Sequence, residues 1–484
     1  MIFNSITFLL YLPVVVFLYW VLPRTARLWM LCFMSLLFYA FWKPEYTLLL
    51  IFAAVLDYFV ALHIDKLEDP VKRKRFLIIS LVLNLGILFY FKYLVFFTDN
   101  LSLALSALGN SKDIFPHLKI LLPIGISFYT FETISYTVDV YRKHIKPERN
   151  FVRYLSFLVY FPHLIAGPIL RAADILPQLE RRAAFNWEHI TEGFKRIVYG
   201  LFLKVVLADN IAPLVDQGFL TGQSALSALD IWTLAFLFGF QIYFDFCAYS
   251  HIAIGCARLM GITFLENFNF PYMAASPKAF WKRWHISLSN WIKDYLYLPL
   301  TGKKVVYDQQ QAISEIKNSN NAKGYLALFA TWAIMGFWHG ANWTFIIWGL
   351  YHALLVTIHR FTLRFTWGIG KKARNILGWG VSLPLLMLGW IPFRVANMST
   401  VLVYFKKIIT PDQYDWLGLR ENVYLITFLL LVILIITYLV VHYIKPLLKN
   451  TIIWQLANSV VLTIAIALTI IFLRPISQFI YFQF

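Results

Sequence analysis

The sequence predicts an all-α polytopic membrane protein, with about 11 crossings and further re-entrant or interfacial helices around a central cavity. Three observations carry this. Of the 484 residues, 60% are hydrophobic and 14% charged, against roughly 25% charged in ordinary soluble domains. The mean hydropathy is +0.65, so lipid is a simpler solvent for this surface than water. Apolar runs of helical length also recur from one end of the chain to the other.

In order, the runs fall at 6–23, 28–42, 46–63, 76–97, 120–140, 151–170, 192–209, 227–249, 325–349, 350–365, 376–393, 423–444 and 453–473. Several are shorter than the ~20 residues that cross a bilayer. Those are expected to be tilted, re-entrant or enclosed in protein. The first lacks a preceding basic segment and a small-residue cleavage site, so it reads as a retained span. Lys72-Arg73-Lys74-Arg75 marks one cytoplasmic loop, and Arg142, Lys143, Lys146, Arg149 and Arg153 mark another. The positive-inside rule then puts 98–119 and the N-terminus outside, and Arg24 and Arg27 inside. In Leu122-Pro123-Ile124-Gly125-Ile126-Ser127 and Ala166-Gly167-Pro168, Pro and Gly interrupt apolar sequence, as in broken helices around a cavity or simple kinks. We read 1–484 as one integral-membrane domain, with N-terminal spans at 1–119, a catalytic core at 120–365 and C-terminal spans at 366–484. The polar stretch 303–323 reads as an exposed loop with no chemistry assigned.

The net charge is +18. Its basic residues sit in short clusters between apolar runs, which suits topology signals and membrane-lipid contacts and excludes nucleic acid. Cys32, Cys247 and Cys256 lie in hydrophobic sequence without metal-type spacing, so neither a disulfide framework nor a metal site is expected. No P-loop, dinucleotide fingerprint, nucleophile elbow or zinc-protease motif is present.

Histidines carry the remaining chemistry. His339 interrupts an apolar, Trp-rich stretch between Gly336 and Gly340, small residues that let a helix or a ligand come close. A neutral imidazole there still wants a partner for each ring nitrogen, and proton transfer would justify one here. Asn342, one turn on, could orient the ring or join two helices. On a helical wheel of 281–296, Trp281, Trp284, Leu288, Trp291, Ile292, Tyr295 and Leu296 share one face, with Lys282, Arg283 and Lys293 opposite. This predicts one amphipathic helix along the interface or lining a cavity. His285 falls on its apolar face, either as a bonded core histidine or facing a reaction chamber. Asp245 closes an apolar run and needs a partner, as a network member or a site residue. His163 and His352 sit beside aromatics and read as core residues. A histidine pair in an aromatic-walled site suits removal of a hydroxyl proton.

Phe280-Trp281-Lys282-Arg283-Trp284-His285-Ile286-Ser287-Leu288-Ser289 and Phe337-Trp338-His339-Gly340-Ala341 resemble the two signature motifs of the membrane-bound O-acyltransferase (MBOAT) family, in its bacterial alginate O-acetyltransferase-like branch. The similarity takes in 122–141, 161–171, 244–257, 267–272, 291–300, 390–394 and 479–484. It implies an MBOAT-like helical bundle whose two funnels meet near His339. It also implies His339 as catalytic base and His285 as the second catalytic position. Trp338, Asn342, Asp245, Trp284 and Arg283 are the further candidates for lining or binding at the site. Acetyl-CoA is the implied cytoplasmic donor, used as substrate, with no bound cofactor. A periplasmic or extracellular acetyltransferase partner would pass the group to a glycan, from a multi-pass protein of the bacterial cytoplasmic (inner) membrane. The chain departs from the branch at Cys247-Ala248-Tyr249-Ser250-His251, at Thr301-Gly302 and at His163, and keeps the histidine pair. D-alanine transfer to teichoic acid, or a proton-coupled transporter or flippase, are the alternatives; no internal repeat of the kind common in transporters is visible.

Overall fold

The computed structural model describes residues 1–109, 118, 120–181, 184–303, 322–362, 368, 370–474 and 479–480. Every regular element among them is helical. Among the described residues, eight helices are long and apolar enough to cross a membrane: Pro44–Lys66, Pro70–Ala107, Trp187–Leu220, Ala228–Leu259, Trp343–Thr362, Lys371–Arg394, Glu421–Leu448 and Ile452–Ile471. The remaining apolar runs fold as shorter or less apolar helices, among them Ile6–Val21, Arg24–Ala40, Ile126–Tyr141 and Ala322–His339. Ile452–Ile471 buries only 6% of its apolar window within the protein. Its outward Ile453, Leu456, Val460 and Ile464 therefore need lipid as their solvent.

The structure redraws five sequence boundaries. The 76–97 run is the middle of a longer helix, Pro70–Ala107, started by Asp69, whose side chain accepts from Val71 N–H. Part of the stretch read as an outside segment, 98–107, thus continues the helix. The 151–170 run breaks into Phe151–Val159 and Phe161–Leu164, and Ile126–Tyr141 begins only after Gly125, at φ 77°. The start after Gly125 and the end at Leu164, just before Ala166-Gly167-Pro168, match the interruptions that Pro and Gly suggest; the break at Tyr160 is a further one. The divide placed between 349 and 350 lies instead at 340–342. Asn342 makes that turn, its side chain accepting from Thr344 N–H at 3.0 Å and its carbonyl from Phe345 N–H at 3.2 Å. The single amphipathic helix over 281–296 is two pieces, Pro277–Trp281 and Ile286–Ile292, the second passing into a wider-wound turn at Lys293–Tyr297. Most of the 303–323 stretch lies outside the described residues, and Ala322 and Lys323 open the helix that ends at His339.

The chain forms two compact units. One consists mainly of Met1–Ile197 with Ile252–Leu265. Its interior holds several hydrogen-bonded polar sets. Asp57 accepts from Ser80 Oγ, from Asn84 Nδ2 at 2.8 Å and from Thr137 Oγ1 at 3.1 Å. Arg73, from the basic cluster, is buried, and donates to Ile64 O and Tyr141 O at 2.8 Å each. It thereby closes the C-terminal ends of two helices, where a cation is favoured. His163 Nε2 lies 3.0 Å from Glu132 Oε2, and Leu170 N–H donates to the other carboxyl oxygen. The second unit holds Val198–His251 and most of the chain from Glu266 onward, including both signature histidines.

Candidate active site

His339 is the last residue of Ala322–His339, and the chain turns back at once into Trp343–Thr362. The two helices pack so closely that a Cβ on Gly336 would sit 2.1 Å from Phe345 O, and one on Gly349 2.1 Å from Trp332 O. Gly336 therefore admits the neighbouring helix, and Gly340 the Phe345 ring. This crossing fixes His339. Its ring is 5% exposed as a residue and lies against Trp338 (centroids 4.8 Å), Trp348 (5.0 Å) and Phe393 (5.3 Å). Asn342 does not reach back to orient the imidazole as one helical turn would allow. It caps the second helix, and its Nδ2 donates to Ala396 O at 3.0 Å.

His285 sits where the 281–296 wheel breaks, with φ 42° and ψ 57°, a left-handed conformation that a residue with a Cβ adopts at a cost. Neighbours hold it there. Ile286 N–H donates to Asn267 O at 2.9 Å and Asn269 N–H to Arg283 O at 3.0 Å. Ser287 donates to Asn267 Oδ1 through its N–H (3.2 Å) and its hydroxyl (3.0 Å), and Asn267 Nδ2 donates to Ser250 Oγ at 3.1 Å. The ring is fully buried and meets Phe246 edge-on at 4.5 Å. Burial lowers the imidazole to about 3, so His285 is neutral at physiological pH. The turn, not a continuous helix, explains why His285 and Ile286 fall out of register.

Ring contacts join the two histidine segments. His339 meets Trp348, Trp348 meets Trp390 at 6.4 Å, and Trp390 meets Trp284 at 4.9 Å. Trp284 immediately precedes His285 and also packs on Phe268 and Phe280. The result is an aromatic wall carrying two buried imidazoles. An imidazole in such a site can take a proton from a hydroxyl and return it to a leaving group.

A model of the membrane-bound O-acyltransferase family, MBOAT, matches residues 126–391, more than half of the chain. The chain belongs to this family. It is 37% identical over 443 residues to a "Probable alginate O-acetylase" of Azotobacter vinelandii, covering 91% of this chain and 84% of that one. It is 34% identical to the peptidoglycan O-acetyltransferase of Helicobacter pylori, covering 84% and 80%. The teichoic acid D-alanyltransferase of Bacillus subtilis is 30% identical over a smaller share, 56% of this chain and 68% of that one. As an MBOAT protein the chain is a multi-pass membrane O-acyltransferase, which displaces the transporter reading.

All seven residues singled out in the sequence fall inside the matched MBOAT region. Trp284 and Trp338 stand in the aromatic wall. Arg283 is half-buried beside the His285 turn, with Nη1 buried and no acceptor for it among the described residues. Asp245 is engaged elsewhere: Lys204 Nζ lies 2.7 Å from Oδ1, and Ile480 N–H donates to Oδ2 at 2.7 Å. Lys204 bridges on to Asp209 at 2.9 Å. Asp245 thus fixes the 479–480 segment, where Phe479 packs on Phe246 at 5.7 Å and so backs the ring that meets His285. Lys204 was missed in the sequence. Its signal was there, because a lone cation within an apolar run calls for a buried acid. Among the described residues no group of three or more His, Cys, Asp or Glu is placed to hold a metal ion.

Proposed function

We propose that this chain moves an acetyl group from cytoplasmic acetyl-CoA across the bacterial inner membrane for O-acetylation of a cell-surface or exported polysaccharide, working with extracytoplasmic acetyltransferase partners. The observation that carries the proposal is the placement of His339 at a helix end, buried against Trp348 and Phe393 and ring-linked to the His285 turn. The relatives that cover most of the chain are O-acetylating enzymes, which favours acetyl over D-alanyl.

In this reading His339 is the base. The acceptor hydroxyl oxygen adds to the thioester carbonyl carbon as its proton passes to the imidazole. The C–S bond then breaks, and the thiolate leaves with that proton. His285, held neutral by burial, acts as a hydrogen-bonding partner and not as a cation. Arg283 supplies a positive charge for the donor's phosphates. Membranes containing the full chain, supplied with acetyl-labelled CoA, should pass label to glycan or partner. His339→Ala should abolish transfer while the protein inserts and accumulates normally; label transfer retained in that variant would refute the assignment.

A further inference from the structure

The aromatic wall contains a second set of buried nitrogens, beyond the two signature histidines. His352 lies one turn after Trp348 on Trp343–Thr362, on the same face. It is 1% exposed. Its ring is nearly parallel to Phe280 (6.5 Å, 6°) and Trp332 (5.7 Å, 24°), and edge-on to Trp281 (5.1 Å) and Trp348 (5.0 Å). Phenylalanine would pack in such a box without bringing polar atoms into it. Yet Nδ1 of His352 is buried with no hydrogen-bond partner among the described residues. The same holds for the indole nitrogens of Trp281, Trp348 and Trp390.

Buried indole N–H groups ordinarily find an acceptor, and leaving one without costs about 1–3 kcal/mol. Three such donors and an imidazole in one connected cluster exceed what packing asks for. Trp348 touches Trp281 at 5.8 Å, Trp390 at 6.4 Å and His339 at 5.0 Å. The donors therefore adjoin the proposed base. They carry no formal charge, which suits a neutral carbonyl better than a phosphate.

We infer that Trp281, Trp348 and Trp390, ordered by His352, form a subsite for the carbonyl oxygen of the acyl thioester. The inference rests on the acyl-transfer reading above. As the acceptor hydroxyl adds to the carbonyl carbon, negative charge develops on that oxygen, and fixed donors in a dry site stabilise it most there. His352 is a positioning residue in this scheme, and the indoles touch the reacting group.

The test replaces Trp348, and separately Trp390, with benzothienylalanine, which keeps the ring shape and removes the N–H. Steady-state transfer from labelled acetyl-CoA is measured in membranes containing the full chain. Each replacement should lower kcat on the order of 100-fold while the donor KM moves by less than about threefold. His352→Leu should act in the same direction, and His352→Gln should recover part of the loss. Unchanged kcat in the ring isosteres would overturn the subsite, because neighbouring ring faces would then satisfy the indoles. Full activity in His352→Phe would reduce His352 to packing and overturn its role. His339→Ala and wild type in the same assay separate the two levels: no transfer by wild type refutes the acyl-transfer reading, transfer retained in His339→Ala refutes His339 as its base, and loss in His339→Ala beside fully active isosteres refutes only the subsite.

Discussion

The two units bury polar groups in contrasting ways. In the first, Asp57 accepts from three side chains and Glu132 from His163 and a backbone N–H. These sets hold helices together, although Tyr129 and Tyr154 also keep buried hydroxyls without a hydrogen-bond partner among the described residues. In the second, Lys204 and Asp245 make a comparable pair, but the aromatic wall gathers several indole donors without acceptors among the described residues. Orphaned atoms occur in both units; what sets the second apart is that three indoles and an imidazole are gathered in one connected ring cluster. On the proposed reading, Asp245 supports the fold and the His339 neighbourhood carries the chemistry.

The largest expected effect comes from closing the helix crossing that carries His339. Gly349→Val would drive a side chain into Trp332 O, separating Ala322–His339 from Trp343–Thr362. Transfer should fall to background and the solubilised protein should lose its cooperative melt; a wild-type melt would show that the crossing tolerates side chains. Next, Lys204→Met leaves Asp245 buried without its cation. Breaking such a pair costs about 3–5 kcal/mol, so the thermal midpoint in detergent should drop sharply. The double change Lys204→Met, Asp245→Leu should recover much of it, because a scaffold pair can be replaced by apolar residues. If the double variant is stable but inactive, Asp245 belongs to the chemistry after all.

A smaller effect concerns pH. His285 is lowered by burial to about 3, against about 6.5 for a free imidazole. Between these values the unfolded chain binds a proton that the folded chain refuses. The stability His285 contributes is therefore present above about pH 6.5 and lost as pH falls toward 3, by up to about 1.4 kcal/mol per unit. His285→Gln should flatten the acid side of the stability curve, read by melts from pH 7 to 5. An unchanged slope would mean that the imidazole is not held neutral. The acid limb of the transfer rate must in turn belong to another group, and should persist in that variant if activity can be measured.

Much of this was legible in the sequence. Hydropathy located the long apolar helices, because lipid demands long apolar runs, but not shorter ones such as Ala172–Glu180 and Met398–Ile409. His339 stood out as a polar residue in such a run. The turn at His285 was hidden, since a helical wheel presumes helical φ and ψ and a non-glycine residue at φ 42° gives no local warning. Only Ile286, an apolar residue on the polar side of the 281–296 wheel, hinted at it. The hairpin at 340–342 was hidden for a related reason: Gly340-Ala341-Asn342 lies within continuous apolar sequence, and Asn342 as a cap is indistinguishable there from Asn as a bridge between helices. His352 acquires meaning only through ring partners distant in the chain, whereas Lys204 signalled a buried acid and left open only which one.

The central claim is that His285 and His339 serve one site, and a double-mutant cycle on transfer kcat tests it most directly. His339→Ala should remove on the order of 10³-fold or more and His285→Ala less. The double variant should be no slower than His339→Ala alone, because residues acting as a unit are not additive. Losses that multiply, or transfer that survives His339→Ala, would contradict a shared site.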